Sequence, residues 1–371
     1  MSSPMEKPVV FLLGKLPPPY MGPSIATSIL LNSALNDHFR LIHVNTKVSN
    51  DLRDMGKWSL SKLTGNLRNY AGHLFLMLKH RPRLVVIPIS QSTAGFLKDS
   101  IYILLAALLG RKILLHLRGS SFRTWIDNAH AGVRAYVRQV MKTSFGVIVL
   151  GENLRGLFDG YFPPDRIFCA PNGGDYDIPL REPSDDTKVR MLYIGNLQES
   201  KGITDILDAV RRLPQEDLGK TELTVLGNWR DSRTEGECRK MVTAAALPVH
   251  FIGGEKSGEK LNMLANSDIF VFTPREPEGH PWVIVEAMAA GLPVISTDRG
   301  AIVESVSDGE NGYIVPVKDP SALSERLHDL INSPEKRKRM GAASRKKYLD
   351  SFTEEKMVQN LANVFNQVIN N

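Results

Sequence analysis

Two carboxylates lie close together in the stretch EPEGHPWVIVEAMAAGLPVIS, residues 276–296. Glu278 lies in a loop of glycine and proline, and Glu286 follows eight positions later in a run that is otherwise apolar. A carboxylate can accept hydrogen bonds from two vicinal hydroxyls, so two carboxylates could hold two different diols of one ligand. A sugar and a ribose that are joined by phosphates would fit that spacing.

The apolar pattern predicts a strand, a loop, a helix and a second strand around these carboxylates. The strand DIFVFT (268–273) precedes the loop, a helix is predicted to begin near Pro281, and Gly291 ends it before the strand LPVIS (292–296). Backbone N–H groups from Gly279 to Val283, except at the proline, together with the helix dipole favour a phosphate-bearing ligand.

Strands alternate with helix-length amphipathic stretches through most of the chain. The first half contains predicted strands at 9–13, 40–45, 83–89, 112–117, 145–150 and 166–170. After a polar stretch at 178–188, the alternation resumes with predicted strands at 189–195, 223–227, 249–253, 268–273, 292–296 and 313–316. From about residue 319 only helices are predicted, the last beginning at Thr353. This order predicts an α/β fold with two doubly wound parallel sheets in tandem domains and a ligand cleft between them.

The charge is unevenly distributed along the chain. Residues 1–180 hold 21 Lys/Arg and 11 Asp/Glu, a net of +10, whereas residues 181–371 hold 25 and 29, a net of −4, which together give +6. The basic half predicts an anionic partner, such as a membrane surface, a nucleic acid or a phosphorylated acceptor. The alternative is an ordinary surface that is richer in lysine and arginine.

Several features predict a cytoplasmic protein. Cys169 and Cys238 provide neither a disulfide framework nor a metal-binding pair. The N-terminus lacks the basic region and cleavage site of a signal peptide. The segment IYILLAALLG (101–110) is too short to span a bilayer and is expected to be a buried helix. A peripheral position on the inner face of the membrane is also open.

Motifs of other chemistries are absent or misplaced. No G-x-G-x-x-G follows a predicted strand and no G-x-x-x-x-G-K-[ST] occurs, which argues against an NAD enzyme or a P-loop ATPase. Asp175 and Asp177 imitate a metal-binding Asp-x-Asp pair, but residues 171–174 separate them from the preceding strand. A turn is therefore expected there, with no required metal.

The stretch that begins at Glu278 resembles the Glu-x7-Glu signature of family 4 retaining glycosyltransferases of the GT-B fold. The matching residues are Glu278, Gly279, Pro281, Glu286, Ala287, Met288, Ala289, Gly291, Pro293, Val294 and Ile295. Further pieces follow the order of the family: LLHLRGSS (114–121), APNGGDYD (170–177), LYIGNLQESKG (192–202) and TDRGAIVESVSDGENGYIVP (297–316). The resemblance covers essentially the whole second half of the chain and the first half only loosely.

This resemblance implies two Rossmann-like domains that face a central cleft. Residues 1–178 would form the acceptor-binding domain and residues 186–352 the domain that binds the nucleotide-sugar donor. A C-terminal helix at 353–371 could cross back to the first domain.

The resemblance also implies roles for individual residues. Glu286 would bind the ribose hydroxyls, and Glu278 would lie against hydroxyls of the transferred sugar. Lys201 would neutralise the diphosphate as negative charge develops on the leaving group. The remaining residues expected to bind the donor are Gly195, Asn196, Gly279, His280, Pro281, Trp282 and Val283.

Two positions depart from the family pattern. Asn196 stands where the family usually has arginine, so either another cation such as Arg118 or Lys15 replaces it, or the rate suffers. In the acceptor-side loop, Gly22 is followed by proline instead of a second glycine, and Ser24 would compensate with its N–H and hydroxyl. Gly22 also has an ordinary interpretation as a turn glycine.

His116 lies near the end of a predicted strand, where the family often places a histidine near the reacting sugar. A histidine that is satisfied within the core is the alternative. Arg118 follows it, and we group this arginine with Gly22 and Ser24 as the acceptor-side phosphate loop. Glu278, Lys201 and His116 are the expected catalytic residues.

The implied reaction transfers a sugar from a nucleotide diphosphate-sugar to an acceptor hydroxyl with retention of anomeric configuration, in bacterial polysaccharide, lipopolysaccharide or glycolipid assembly. In the usual proposal for this family the departing phosphate takes the acceptor's proton, and no metal or other cofactor is required. The basic, amphipathic segment 59–83 is consistent with a carbohydrate or lipid-linked acceptor and an anionic membrane surface, or with an ordinary helix on the sheet. No nucleic-acid partner is expected.

Two other functions remain open on the sequence. One is a nucleotide-sugar binding protein with degenerate catalysis, which the departures at Asn196 and Pro23 favour. The other is a sugar-nucleotide epimerase or phosphorylase of the same fold, although no cofactor-binding lysine for a phosphorylase is identified.

Overall fold

A computed structural model describes residues 6–18, 22–47, 60–180 and 188–371 of the protein. The chain divides into two compact units: unit 1 comprises residues 1–172 and 354–371, and unit 2 comprises residues 173–353. Most of the polar stretch between the predicted domains, residues 181–187, lies outside the described residues.

Unit 1 is built on a six-stranded parallel sheet with the strand order β2-β1-β3-β4-β5-β6. Its strands are β1 (Val9–Gly14), β2 (Arg40–Asn45), β3 (Leu84–Ile89), β4 (Lys112–Leu117), β5 (Gly146–Val149) and β6 (Ile167–Cys169). The inner strands are almost continuous runs of buried valine, isoleucine and leucine, because helices cover both faces of a parallel sheet.

The helices of unit 1 include one from the end of the chain. They are α1 (Gly22–Asn32), α2 (Leu35–His38), α3 (Leu60–His80), α4 (Thr93–Leu108), α5 (Phe122–Asp127), α6 (Ala131–Met141) and α15 (Glu354–Asn370), with 3-10 turns at Glu152–Phe158 and Pro164–Arg166. Helix α15 packs on α2, β3 and β4. Phe365 meets Phe39 edge to face at 5.6 Å, and the carbonyl of Ile369 accepts a hydrogen bond from Lys112 Nζ at 3.0 Å.

The outer surface of α3 and α4 corrects one expectation. The segment 101–110 was expected to be a buried helix. Its residues 101–108 form the second half of α4, which buries Tyr102, Ile103 and Ala106 but exposes Ile101, Leu104 and Leu108. Helix α3 packs beside α4 and also exposes large apolar side chains. We call the whole set the apolar face of α3 and α4; its members are Leu67, Phe75, Leu78, Leu97, Ile101, Leu104 and Leu108. Each helix covers the sheet with one apolar side and exposes a second apolar side. An apolar sequence in these helices therefore does not imply that the whole helix is buried.

Unit 2 repeats the architecture with a second six-stranded parallel sheet, in the order β12-β11-β10-β7-β8-β9. Its strands are β7 (Val189–Ile194), β8 (Thr221–Leu226), β9 (Val249–Ile252), β10 (Ile269–Phe272), β11 (Val294–Ser296) and β12 (Gly312–Ile314). All twelve strands predicted from the sequence are therefore present, and the prediction of an α/β fold with two doubly wound sheets is confirmed.

The helices of unit 2 surround one continuous hydrophobic core. They are α7 (Ile203–Arg211), α8 (Gln215–Lys220), α9 (Ser232–Ala244), α10 (Lys260–Ala265), α11 (Trp282–Ala289), α12 (Ile302–Ser305), α13 (Pro320–Ile331) and α14 (Pro334–Ser351), with 3-10 turns at Glu199–Lys201 and Gly254–Glu259. Helix α11 is buried along almost its whole length and packs against α14, β10 and β11. This central helix carries Glu286.

Candidate functional site

Glu278 and Glu286 lie on either side of the first turn of α11, after the carboxyl end of β10. The helix begins at Trp282 with Pro281 as its cap, close to the predicted position. Because α11 is covered by apolar neighbours on nearly every side, it holds Glu286 inside the unit. The loop before α11 places Glu278 at the same edge of the sheet, where parallel α/β sheets bind their ligands.

Glu286 is a buried carboxylate with one oxygen unused. Its side chain is 6% exposed, and Oε1 accepts a hydrogen bond from Lys260 Nζ at 2.6 Å. Burial raises the pKa of this carboxyl, and the Lys260 ammonium opposes the shift. Oε2 has no hydrogen-bond partner in the described part of the chain. A buried acceptor without a donor costs about 1–3 kcal/mol, so a ligand hydroxyl that donates to Oε2 would be stabilised here.

Glu278 forms an ion pair with Lys201. The two side chains are 15% and 24% exposed, respectively, so the pair lies at the edge of the unit. Burial raises the pKa of the Glu278 carboxyl, and Lys201 acts against that rise. The structure thus brings together two residues that are 77 positions apart in the chain. The ammonium of Lys201 is consequently beside one of the two predicted sugar-binding carboxylates.

Tyr193 connects the same site to the turn after β7. Its hydroxyl donates a hydrogen bond to the carbonyl of Asn196 at 3.1 Å. Burial, followed by the nearby charge of Glu278, raises the pKa of this tyrosine. Gly195 lies against the Tyr193 ring, and Asn196 is exposed. The predicted donor residues after β7 are therefore close to the carboxylate loop.

Arg275 fixes the loop before α11 against the turn that carries Lys201. Its guanidinium donates two hydrogen bonds to the carboxylate of Asp205, at 2.8 and 2.6 Å, and also pairs with Glu199. Its backbone N–H donates to the carbonyl of Ser200 at 3.0 Å. Arg275 and Lys260 were not predicted from the sequence. An arginine in a loop of glycine and proline was the available signal for the first, whereas nothing distinguished the second.

Two glycines allow the backbone segments of the site to approach closely. Gly202 has a φ of +80°, and a side chain there would collide with the backbone of Thr273 at the end of β10. Gly300 has a φ of +61°, and a side chain there would collide with the carbonyl of Glu278. Only glycine adopts these conformations without strain, so both positions keep the Lys201 turn and the Glu278 loop in place.

Among the remaining predicted donor residues, the side chains of His280 and Trp282 are buried. The His280 ring is buried, lies 2.7 Å from Ser305 Oγ and packs on Phe352. Burial lowers the pKa of His280 to about 3, so the ring is neutral. Trp282 is buried, while Gly279, Pro281 and Val283 are partly exposed. Because the His280 ring is buried, the backbone amides of this segment are better placed than that ring to contact a ligand.

His116 and Arg118 lie at the carboxyl end of β4 in unit 1. His116 is buried, its Nε2 has no hydrogen-bond partner among the described residues, and burial lowers its pKa well below the usual value. Arg118 donates from Nη1 to the carbonyl of Pro23 at 2.5 Å and to Thr27 Oγ1 at 3.1 Å. Burial lowers the pKa of Arg118 to about 10. The predicted acceptor-side residues are thereby joined at one edge of the sheet.

The acceptor-side glycine differs from its prediction. Gly22 was expected in a loop, but it belongs to α1, as does the buried Ser24. Proline follows Gly22, and its fixed φ is compatible with the first turn of a helix.

The segment around Asp175 and Asp177 is irregular: it belongs neither to a helix nor to a strand, and it does not form the turn that was expected. Within residues 6–18, 22–47, 60–180 and 188–371, no group of three or more His, Cys, Asp or Glu side chains is placed to hold a metal ion. Independence from metal ions remains a prediction.

Solved structures with this architecture define the class of protein. A glycosyltransferase from Rickettsia africae covers 98% of this chain and 99% of its own, with a TM-score of 0.77 at 15% identity. HepE from Anabaena in complex with UDP-glucose covers 97% and 99%, with a TM-score of 0.73 at 17% identity. The protein therefore has the GT-B fold of two Rossmann-like domains.

The sequence of unit 2 matches a known protein family. Residues 177–347 match the family described as "Glycosyl transferases group 1". Spore coat protein SA of Bacillus subtilis is 31% identical over 180 residues, which are 47% of this chain and 48% of that protein. Alpha-1,3/1,6-mannosyltransferase ALG2 of Homo sapiens is 25% identical over 253 residues, 64% of this chain and 59% of that protein. The chain thus spans about half the length of the curated relatives that it matches.

Proposed function

We propose that the protein is a retaining glycosyltransferase that takes its sugar from a nucleotide diphosphate-sugar. One observation carries this proposal: the buried Glu286 and the partly buried Glu278 are each held by a lysine, and Glu286 Oε2 has no partner in the described residues. In this proposal the ribose hydroxyls donate to Glu286, and hydroxyls of the transferred sugar lie against Glu278. The group 1 domain and the resemblance to the Glu-x7-Glu signature support the same assignment.

Lys201 would supply the main electrostatic contribution to the reaction. Its ammonium forms an ion pair with one carboxylate in the described residues, that of Glu278. It therefore keeps capacity to interact with a second anionic group. When a diphosphate leaves, negative charge grows on its oxygens, and a cation fixed nearby stabilises that charge. Amides at the beginning of α11 would add further hydrogen bonds to the diphosphate. No metal ion or other cofactor is proposed.

The donor is testable by thermal stabilisation with a panel of UDP-, GDP- and ADP-sugars. UDP-glucose is the first probe, because HepE of the same fold was crystallised with it. At a ligand concentration of 100 times Kd, stability rises by about 2.7 kcal/mol, which is readily detected as a shift of Tm. A flat response to every nucleotide-sugar would overturn the proposal. Retention would be read from the anomeric configuration of the product by NMR.

The rival is a binding protein that has lost catalysis, and Asn196 is the residue that favours it. Donor stabilisation without transfer to any acceptor, and without hydrolysis of the donor, would identify the rival. Transfer by the wild type together with a higher rate in Asn196→Arg would show that the asparagine moderates activity without abolishing it.

We also propose that unit 1 contacts an anionic membrane surface through the apolar face of α3 and α4. These seven exposed side chains lie on two adjacent helices, and the sequences of the helices contain Lys62, Arg68, Lys79 and Lys98. Asp99 is the one carboxylate on either helix, and it is buried. An apolar surface accompanied by cations matches the boundary of an anionic bilayer. No helix of the described chain is long and apolar enough to cross the bilayer.

Sedimentation with vesicles tests this surface. The protein is expected to bind vesicles that contain an anionic lipid, and to bind less as salt is increased. Absence of binding to anionic vesicles at low salt would exclude the membrane and leave the face for a protein partner.

An acceptor in the assembly of a bacterial polysaccharide, lipopolysaccharide or glycolipid is consistent with a membrane site. The putative colanic acid glycosyltransferase WcaL of Salmonella typhimurium is among the relatives, at 29% identity over 52% of its length.

A further inference from the structure

Three lysines converge at the carboxyl edge of the sheet in unit 1. Lys15 directly follows β1, and Lys47 lies two residues beyond the end of β2. These two strands are parallel neighbours, with Gly14 opposite Asn45, so both lysines leave the sheet at the same edge. Lys98 belongs to α4, which begins just beyond the end of the adjacent β3. We call Lys15, Lys47 and Lys98 the lysine cluster.

Asp99 is a carboxylate beside Lys98 of the lysine cluster, and it already accepts a hydrogen bond. The residue is 7% exposed, and its Oδ2 accepts a hydrogen bond from the backbone N–H of Ser90 at 2.8 Å. Its Oδ1 is 3.4 Å from Lys98 Nζ. Burial raises the pKa of Asp99, whereas Lys98 lowers it. Within the described residues, Asp99 is the one carboxylate whose charge acts on Lys15, together with the charges of Lys98 and Lys47.

Lys15 shows the effect of this concentration of positive charge. Partial burial of its ammonium is the largest cause of a lowered pKa, Lys98 and Lys47 add to the shift, and Asp99 opposes it. Lys15 is thus close enough to all three for their charges to act on it. Like charges held together in a folded protein favour an anion that can neutralise them.

The surrounding structure holds the lysine cluster in place. Asn69 donates to the carbonyl of Lys47 at 3.2 Å, and Tyr70 donates to the carbonyl of Lys98 at 3.2 Å. Both donors come from α3, while Lys47 Nζ itself donates to the carbonyl of Pro18. Two of the three lysines therefore have backbones anchored by side chains of one helix. The ammonium groups of two of the lysines are also held, that of Lys47 by the carbonyl of Pro18 and that of Lys98 beside Asp99.

We infer that the lysine cluster binds a phosphate-type anionic group of the acceptor. This inference rests on the proposed function insofar as it assigns the anion to the acceptor; the anion site itself stands on the cluster alone. A phosphate group carries up to two negative charges and several acceptor oxygens, which match several neighbouring ammonium groups better than a monovalent group would. The acceptor is accordingly a phosphate-bearing molecule, either soluble or with the phosphate on a lipid headgroup.

Binding of inorganic phosphate tests the site directly. Affinity is measured by calorimetry at constant ionic strength in the Lys201→Ala background, so that the donor site of unit 2 does not contribute a lysine. Lys15→Met and Lys47→Met should each weaken phosphate binding about tenfold or more, because each removes a charge-assisted hydrogen bond. Lys15→Arg should retain most of the affinity. Lys142→Met is the matched control, since Lys142 is an exposed lysine after α6, remote in sequence from the cluster.

The outcomes separate this inference from the proposed function. Unchanged phosphate affinity in both methionine variants, or an equal loss in Lys142→Met, would overturn the inference. Lysine-dependent phosphate binding without stabilisation by any nucleotide-sugar would retain the anion site and remove both the proposed donor and the acceptor assignment. Vesicles with and without phosphatidic acid distinguish the sources: loss of vesicle binding in Lys15→Met indicates a lipid headgroup, and loss of free phosphate binding alone indicates a soluble acceptor. Circular dichroism of every variant verifies folding.

Discussion

Units 1 and 2 have the same six-stranded parallel design, but they use the carboxyl edge of the sheet differently. In unit 2, carboxylates and lysines are matched one to one, as Glu278 with Lys201 and Glu286 with Lys260. In unit 1, the charges of Lys98, Lys47 and Asp99 act on Lys15, so lysines outnumber carboxylates among these described residues. Matched charges suit a ligand with both hydroxyls and phosphates, whereas an excess of cations suits a purely anionic group.

The outer helices of the two units differ as well. In unit 2, α8 and α9 carry exposed ion pairs one helical turn apart, such as Lys220 with Glu216 and Arg239 with Glu235. In unit 1, α3 and α4 expose leucine, isoleucine and phenylalanine. The compared outer helices are therefore polar in unit 2 and apolar in unit 1. A large exposed apolar surface indicates an interaction site, so a binding partner is expected for α3 and α4.

The largest expected effect comes from removing the cation of unit 2. Lys201→Ala should lower kcat about 10²–10³-fold, because the charge that develops on the leaving group loses a fixed ammonium. Initial rates of sugar transfer measure the effect. Lys220→Ala is the control, since this exposed lysine pairs with Glu216 on the same unit. Equal rates in the wild type and Lys201→Ala would break the assignment of unit 2 as the site of chemistry.

A smaller effect is expected from the buried carboxylate. Glu286→Gln keeps the shape of the side chain. It replaces a carboxylate oxygen, which accepts hydrogen bonds, by an NH₂ group, which donates them, and it leaves the Lys260 ammonium without a carboxylate partner. Donor affinity should fall about 10–100-fold, as for the loss of hydrogen bonds to a charged group. Titration calorimetry with UDP-glucose, or with the donor that the panel identifies, measures the change. Glu325→Gln, at an exposed position of α13, should leave affinity unchanged.

Acid should destabilise unit 1 through His73. Burial lowers the pKa of this histidine to about 4 from an ordinary value of 6.5. Between those values the unfolded chain binds a proton that the folded protein does not, so stability is lost as pH falls from 6.5 towards 4. His73→Phe, which suits the aromatic surroundings of Phe11 and Tyr102, should reduce the loss between pH 7 and 4.5 by about 2 kcal/mol.

Urea unfolding at a series of pH values measures this difference. His250→Phe, at an exposed position on β9, is the control and should leave the slope unaltered. Parallel pH curves for the wild type and His73→Phe would contradict the prediction, because they would show that this ring binds its proton equally well in the folded and unfolded states.

The smallest effect concerns the outer surfaces. The double variant Leu104→Ser/Leu108→Ser should reduce binding to anionic vesicles about tenfold, because two apolar side chains no longer enter the bilayer boundary. Folding should be little affected, since both side chains are exposed. Leu349→Ser removes an equally exposed leucine from α14 of unit 2 and should have no effect on vesicle binding. An equal loss from Leu349→Ser would erase the difference between the two surfaces.

The strands were predictable because a parallel sheet covered on both faces requires short, continuous apolar runs. The same rule failed for α4, since an apolar run does not reveal how much of it is covered. Leu97, Ile101, Leu104 and Leu108 repeat at spacings of four, three and four, a helical stripe that is separate from the buried side of the helix. The number of apolar residues in the segment 101–110 does not distinguish the exposed apolar side of the helix from its buried apolar side.

The carboxylates of the site were predictable because one short motif contains both. Their partners were not, since Lys260 is 26 residues from Glu286 and Lys201 is 77 from Glu278. Lys201 was found through the resemblance of its own turn, whereas α10 offered no such pattern. The direction of the His280 ring was also invisible in the sequence, because Ser305 and Phe352 come from distant elements.

Helix α15 has a consequence for synthesis on the ribosome. The sheet of unit 1 is covered in part by residues 354–370, which are translated after the whole of unit 2. Until Phe365 and Ile369 leave the exit tunnel of the ribosome, the apolar surface of unit 1 that α15 covers remains exposed. The domain that is translated second can therefore mature first, and chaperones would be needed chiefly by the nascent N-terminal half.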